Sequence, residues 1–355
     1  MENNESKMKK MYSFYALSVA IFGVAVTLLQ LGGSYGIAPL IGVNPDESGW
    51  FPFVNIIVPM YIICFPILLL VLKKSEVVKP EKNKLSFGKF LLFIPLMAAM
   101  IAVGAVIGII LNMLCTLPFG VSMEYSTEIS KIMMNSHPFW RILTAGILAP
   151  IVEEMIFRKL LIDRTYRYGE WVAILTSGIM FGLFHGNFAQ CFFAALIGGL
   201  FAYIYCRTGN VWYTITLHAI LNLSTSVISM ATMKPYMSVD QAMLDEYHNL
   251  SVEYLSSQDP AIAERVTELG MQIIPKMLPF MAWSGLVGTV MFAGFILWIV
   301  ILVRKKVVIK KTPDQVQGGM KYAWGNIGMI LFLVYALATF AINYIAIIVK
   351  YGSVV

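Results

Sequence analysis

The sequence predicts an all-α fold, a polytopic transmembrane bundle of about nine helices that forms a single membrane domain over residues 1–355. Two compositional facts support this: 58% of the residues are apolar and only 13% are charged, where soluble proteins average about 45–50% and about 25%. The third observation is a series of nine apolar runs of about 20 residues, the length that spans a bilayer. Because the Lys and Arg residues cluster between these runs, the net charge of +6 does not indicate nucleic-acid binding.

The nine runs follow one another along most of the chain. They cover 11–33, 51–72, 90–116, 141–162, 171–187, 189–206, 211–231, 278–303 and 323–349. The first is too long for the apolar core of a signal peptide. Between the seventh and eighth runs, residues 232–277 are predicted to form a loop with short helices on the outer membrane surface. Ser238 with Gln241 resembles a capping box, and Asp259 before Pro260 resembles a helix start.

Basic and non-basic connecting segments alternate at every step. Six Lys lie in 73–89, and one Arg and five Lys lie in 304–321, whereas 34–50 contains neither residue and 117–140 contains only Lys131. Since Lys and Arg accumulate on the cytoplasmic side, we expect the N-terminus inside, the C-terminus outside and the 232–277 loop outside. The expected location is a bacterial plasma membrane.

Ionisable residues inside membrane spans are costly and indicate function. The carboxylates within the nine runs are the adjacent Glu153 and Glu154, and Arg158 follows one helical turn later. Two of the four His residues, His185 and His218, also lie in predicted spans. Their depths, estimated from the rise of a helix, allow these side chains to meet near the middle of the membrane.

The spacing of these residues along each helix predicts which of their side chains share a helix face. Glu154 and Arg158 are one turn apart and are expected to form an ion pair. Glu153 is rotated by about 100° and is expected to face elsewhere. Asn222 shares a helix face with His218 at i+4. A carboxylate and a His can hold and deprotonate a water, and a His with an Asn amide can donate to an oxyanion. This set is suited to the hydrolysis of an amide bond by water.

Three motifs in this region resemble those of one protein family. Glu153-Glu154-Met-Ile-Phe-Arg158 resembles an EExxxR motif, Phe181-Gly-Leu-Phe-His185 an FxxxH motif, and His218-Ala-Ile-Leu-Asn222 an HxxxN motif. Their order and spacing are similar to those of the CAAX protease and bacteriocin-processing (CPBP, or Abi) family, which includes the Ras-converting CAAX prenyl endopeptidases. The resemblance covers roughly 140–230, the expected catalytic core.

The resemblance implies an all-helical intramembrane endopeptidase. In relatives that act on CAAX proteins, the enzyme removes a C-terminal tripeptide after a prenylated Cys. Carried over by motif, Glu153 and His185 would activate the water, and His218 and Asn222 would form the oxyanion hole. Glu154, Arg158 and Phe181 would be supporting residues.

The metal content remains open at this stage. A site without metal is favoured by the resemblance, whereas the ligand types also permit zinc held by Glu153, His185 and His218.

Other interpretations of these residues also remain open. Glu154 and Arg158 can form a purely structural ion pair, Phe181 can be a packing residue, and a His in a span can be an interhelical hydrogen-bond donor. A non-catalytic family member, such as a bacteriocin self-immunity protein or a membrane scaffold, is the main alternative function. A transporter fits less well because the polar residues cluster in one place. The expected partners are a peptide or membrane-protein substrate and the lipid bilayer, with no nucleic acid; the oligomeric state stays open.

Overall fold

The computed structural model describes residues 3–45, 47–121, 136–304 and 306–352. Asp46, Lys131 and Lys305, which contribute to the loop charges, lie outside these ranges. The described residues form eleven helices and no strand, which confirms the all-α prediction. In chain order they are α1 (Asn4–Leu40), α2 (Phe51–Leu72), α3 (Phe87–Phe119), α4 (138–165), α5 (Glu170–Phe184), α6 (Phe188–Thr208), α7 (Val211–Met237), α8 (Gln241–Ser257), α9 (Pro260–Val303), α10 (Gly319–Trp324) and α11 (Ile327–Tyr351).

All nine predicted runs correspond to helices. Within the described ranges, seven helices are long and apolar enough to cross a membrane, namely α1, α2, α3, α6, α7, α9 and α11. The other two predicted runs are α4, which carries several charged side chains, and α5, which has 15 residues. The helices with the strongest functional signals are therefore the two that hydropathy alone identifies least well.

The structure corrects several helix boundaries. The fifth run was predicted to reach residue 187, but the helix it forms, α5, ends at Phe184. His185 is therefore the C-cap of α5 and does not lie within the helix. Gly186 follows with φ of 65°, a left-handed conformation that ends a helix and suits glycine. The ninth predicted run is divided at Gly325 into α10 and α11.

The segment between α7 and α9 contains one separate helix, α8. Its N-cap is Asp240, whose carboxylate accepts a hydrogen bond from the amide of Ala242, so the prediction of Ser238 as the cap was wrong. Asp259 does cap the next helix, with Pro260 in its first turn. That helix does not stay short but continues as α9 for 44 residues.

Close packing of α5 against α6 depends on small residues. A Cβ atom at Gly178 would lie 2.7 Å from the carbonyl oxygen of Ala195, and one at Gly182 would lie 2.4 Å from that of Cys191. Small residues of this kind let helix backbones approach in membranes. The α5–α6 pair thereby forms a tight hairpin, and His185 lies in its three-residue turn.

Candidate active site

The glutamates lie on a helix with two irregular stretches. In α4, the α-helical segment Ala149–Glu154 is flanked by π-helical segments Ile142–Leu148 and Met155–Leu160. Wider hydrogen-bond spacing in such segments leaves backbone carbonyls in need of other partners. The hydroxyl of Tyr15 donates to the carbonyl of Ile156 at 2.5 Å, and that of Ser177 donates to the carbonyl of Phe157 at 2.7 Å. Side chains of α1 and α5 therefore stabilise the irregular stretch.

Glu154 holds two partners at the centre of the protein. Its Oε2 lies 3.0 Å from Nε of Arg158, and its Oε1 lies 3.0 Å from Nδ1 of His218. The side chains of Glu154 and Arg158 are fully buried, and that of His218 is 5% exposed. The expected ion pair is therefore present, and it extends to a residue of α7.

The guanidinium of Arg158 is enclosed by aromatic rings. Its central carbon lies 4.3 Å from the ring centre of Phe181 and 5.5 Å from that of Phe201. Cation–π attraction contributes most where water is excluded. Phe181 is therefore both a packing residue and a direct neighbour of the buried charge.

From its rotation on the helix, Glu153 was expected to face away from Glu154. Instead, both glutamates lie beside His218. Oε2 of Glu153 lies 3.7 Å from Nε2 of His218, which is longer than a hydrogen bond. Because the two nitrogens lie on different sides of the imidazole ring, two carboxylates 100° apart on one helix can flank the same His218. The side chain of Glu153 is 16% exposed, so it is the more accessible of the two glutamates.

His185 and His218 lie against the same aromatic ring. The ring centre of Phe181 is 4.9 Å from that of His185 and 5.8 Å from that of His218, both edge-on. Nδ1 of His185 lies 2.8 Å from the carbonyl oxygen of Phe181. A carbonyl oxygen can only accept, so Nδ1 carries a proton, and Nε2 accepts in the tautomer that has its single proton on Nδ1.

Asn222 is held by the first irregular stretch of α4. Its amide nitrogen donates to the carbonyl oxygen of Ala145 at 2.8 Å, and Ala145 belongs to the π-helical segment Ile142–Leu148. The amide has two hydrogens, so this bond fixes its orientation and leaves one N–H for another acceptor.

The side chains proposed as zinc ligands do not form a metal-ligand group. Among the residues that the structure describes, no three His, Cys, Asp or Glu side chains come together in a way that could hold a metal ion. Nδ1 of His218 is engaged by Glu154 and Nδ1 of His185 by Phe181. These bonds leave both Nε2 atoms open, as in metal-bound histidines, but the described residues bring no group of three ligands together, and we derive no step through a metal.

An apolar groove runs along the helix that carries His218 and Asn222. It has a volume of 480 Å³ and lies between α3, α7 and α9. Leu221 and Ser224, on either side of Asn222, contribute to its wall, and Phe280 and Trp283 contribute from α9. Nothing in the sequence motifs indicates this groove.

The sequence analysis also missed residues outside the three motifs whose side chains form hydrogen bonds to the backbone of the site. Tyr15 binds the backbone two residues after Glu154, and Asn343 binds the backbone next to His185. A polar residue in an apolar run was a signal available at Asn343, but its partner could not be read from the sequence.

Comparison with known proteins agrees with the motif region. Residues 135–224, about a quarter of the chain, match the family model described as "Type II CAAX prenyl endopeptidase Rce1-like". The expected resemblance to the CAAX prenyl endopeptidase family is confirmed. All seven predicted site residues lie within the matched stretch. With seven long apolar helices among its described residues, the chain is an integral membrane protein.

A curated bacterial protein is also similar to the chain. It is described as "Putative membrane peptidase YdiL" from Bacillus subtilis (strain 168), and it is 23% identical over 239 residues. The alignment covers 65% of this chain and 93% of that protein. No solved structure matches the chain.

Proposed function

We propose that the protein is an intramembrane endopeptidase that hydrolyses a peptide bond with a water molecule activated by Glu153. The observation that supports this most directly is the contact of both glutamates with His218. Residues from α4 and α7 meet there in a largely buried position, and His185 contacts the same Phe181 ring. A buried carboxylate with a second acceptor nearby is the usual means of deprotonating a water.

Glu153 and His185 are assigned to the water. Glu153 is the partly exposed carboxylate, and the hydrogen bond of His185 to the Phe181 carbonyl leaves its Nε2 as an acceptor. A water bound by two acceptors presents an oxygen lone pair to the substrate. Transfer of its proton to Glu153 produces the hydroxide that attacks the carbonyl carbon.

His218 and Asn222 are assigned to the oxyanion. Nδ1 of His218 donates to the carboxylate of Glu154, which orients the ring so that Nε2, on its other side, is the atom assigned to donate to the oxyanion. The second N–H of Asn222 is the other donor. As the tetrahedral species collapses, the C–N bond breaks and the leaving nitrogen takes the proton from Glu153. The carboxylate is thereby regenerated.

Substrate, cofactor and topology complete the proposal. The apolar groove beside α7 suits an apolar segment of a peptide or membrane-protein substrate, or a lipid attached to it. No metal is required by the steps above. The charge alternation of the connecting segments supports an N-terminus inside and a C-terminus outside.

The test is a comparison of protein termini in cells that express the wild-type chain or the Glu153→Gln variant at equal levels. We expect new N-termini in membrane proteins or secreted peptides that require Glu153. In proteoliposomes, purified protein is then given a quenched fluorescent peptide that ends in a farnesylated CAAX sequence, and the same peptide without the lipid.

Glu170→Gln is a suitable control for the loss of a glutamate. Glu170 is also buried and also pairs with an arginine, Arg207, at 2.5 Å, but it lies at the start of α5, away from the motif residues. Absence of any terminus that depends on Glu153 would contradict the proposal and favour a non-catalytic relative. Cleavage by Glu153→Gln at the wild-type rate would contradict the assigned base.

A further inference from the structure

The turn that carries His185 is held by the last helix of the chain. The amide of Asn343 on α11 donates to the carbonyl oxygen of Gly186 at 2.9 Å. One residue further along α11, the hydroxyl of Tyr344 accepts from the backbone amide of Phe188 at 3.2 Å and donates to Oδ1 of Asn112 at 2.8 Å. Neighbouring residues of α11 therefore bind one backbone group of the turn and the first backbone amide of α6.

The contact is also close in steric terms. Gly186 is buried and has φ of 65°, and a Cβ atom placed on it would lie 2.4 Å from Cγ2 of Thr339. Thr339 is one helical turn before Asn343 on α11. The turn thus has little space in which to shift while α11 stays in place.

His185 depends on this turn for its position. It follows the last residue of α5, and its own carbonyl accepts from the side chain of Asn187 at 2.9 Å. Nδ1 of the imidazole is held by its hydrogen bond to the Phe181 carbonyl. While that bond is kept, Nε2 moves only when the backbone of the turn rotates. A bond on the adjacent Gly186 carbonyl restricts that rotation.

We propose that Asn343 is a positioning residue for His185, acting through the Gly186 carbonyl to hold the imidazole in the orientation needed for water activation. The inference rests on the proposed function. It extends the functional unit to α11, which lies outside the matched stretch 135–224. Because displacements of about 1 Å can cost about 100-fold in rate, a single hydrogen bond at this position has a large effect.

The experiment uses Asn343→Asp in the full-length protein, which keeps the shape of the side chain but replaces the donor by an acceptor. With the farnesylated reporter peptide in proteoliposomes, we expect kcat to fall by about 10-fold to 100-fold while KM changes by less than about twofold. Asn343→Gln keeps an amide donor and should restore part of kcat.

A second readout does not depend on substrate. Diethylpyrocarbonate modifies accessible imidazoles, and peptide mass spectrometry separates His185 from the other His residues. Loss of one hydrogen bond should raise the modification rate of His185 by about fivefold, with His218 unchanged.

Phe332→Leu provides the control for a general loss of stability. Phe332 is fully buried on the same helix, in the part of α11 remote from the turn. The inference is supported if Asn343→Asp lowers kcat more than Phe332→Leu at the same melting temperature, and if His185 becomes more reactive. It is overturned if kcat and the His185 rate both equal the wild-type values, or if both variants lose activity only in step with stability.

The outcomes also separate this inference from the proposed function. If the wild-type protein does not cleave the reporter, or cleaves it equally well as Glu153→Gln, the proposed function fails for this substrate. The His185 modification rate then still decides whether Asn343 holds the turn.

Discussion

Replacing Glu154 by Gln removes the negative charge that compensates Arg158. The two charged groups are 3.0 Å apart and both side chains are fully buried. At an effective dielectric constant of about 20, their attraction is about 5.5 kcal/mol. Measured losses after removing one partner of a buried pair are about 3–5 kcal/mol, because the other charge remains in a medium that cannot solvate it. We therefore expect Glu154→Gln to lower the free energy of unfolding by about 3–5 kcal/mol.

The neighbouring Glu153→Gln variant should behave differently. Glu153 is 16% exposed, and Nε2 of His218 lies 3.7 Å from its carboxylate. This distance is longer than a hydrogen bond, so replacing the carboxylate by an amide of the same shape removes little direct interaction. We expect Glu153→Gln to stay folded with almost unchanged stability and to lose proteolytic activity. Glu154→Gln should be unstable and keep residual activity in the folded fraction.

The assay measures unfolding in mixed micelles with increasing SDS, and cleavage by the same preparations. A double variant, Glu154→Gln with Arg158→Met, removes both charges and should recover more than half of the lost stability, since apolar replacements of buried ion pairs are often neutral. Equal stability of Glu154→Gln and the wild type would refute the reasoning. A stable, inactive Glu154→Gln beside an active Glu153→Gln would reverse the assigned roles.

Three further predictions concern catalysis, topology and metal. Asn222→Ala should lower kcat by about 10²–10³ with KM nearly unchanged, because the amide is needed only as the oxyanion forms; a change confined to KM, measured by initial rates, would assign Asn222 to substrate binding. An impermeant thiol reagent added outside intact cells should label Ser256→Cys and not Ser86→Cys, and the reverse pattern would invert the topology. Chelators should leave the activity unchanged, and elemental analysis showing one zinc per chain, lost together with activity, would require a metal-dependent mechanism.

The sequence was sufficient for contacts within one helix. Glu154 and Arg158 are four residues apart in an apolar run, and the ion pair follows from helix geometry and the cost of burial. The position of His185 beyond the end of α5 was also readable in principle. Gly186 followed by Asn187 is the usual combination of a helix-ending residue and an N-cap, and Asn187 does cap α6.

Contacts between distant helices could not be predicted in this way. Tyr15 reaches the carbonyl of Ile156 over 141 residues, and Asn343 reaches that of Gly186 over 157 residues. Such pairs depend on how whole helices pack, and no local pattern encodes that packing. The contact of Glu154 with His218 was missed for the same reason, since it depends on the placement of α7 beside α4.

The π-helical segment Met155–Leu160 between the glutamates and the end of α4 has a consequence for how this chain can change in evolution. Hydrogen bonds from i to i+5 accommodate one residue more than an α-helix of the same length. The insertion or deletion of a single codon is therefore enough to create or remove such a segment. Deleting one residue here would convert the π-helical segment into regular α-helix. If the segment stayed π-helical instead, the rest of α4 would be rotated by about 100° about the helix axis. Alignments of related chains should accordingly allow a one-residue gap in the part of this segment that follows Arg158, where it leaves the Glu154–Arg158 spacing unchanged.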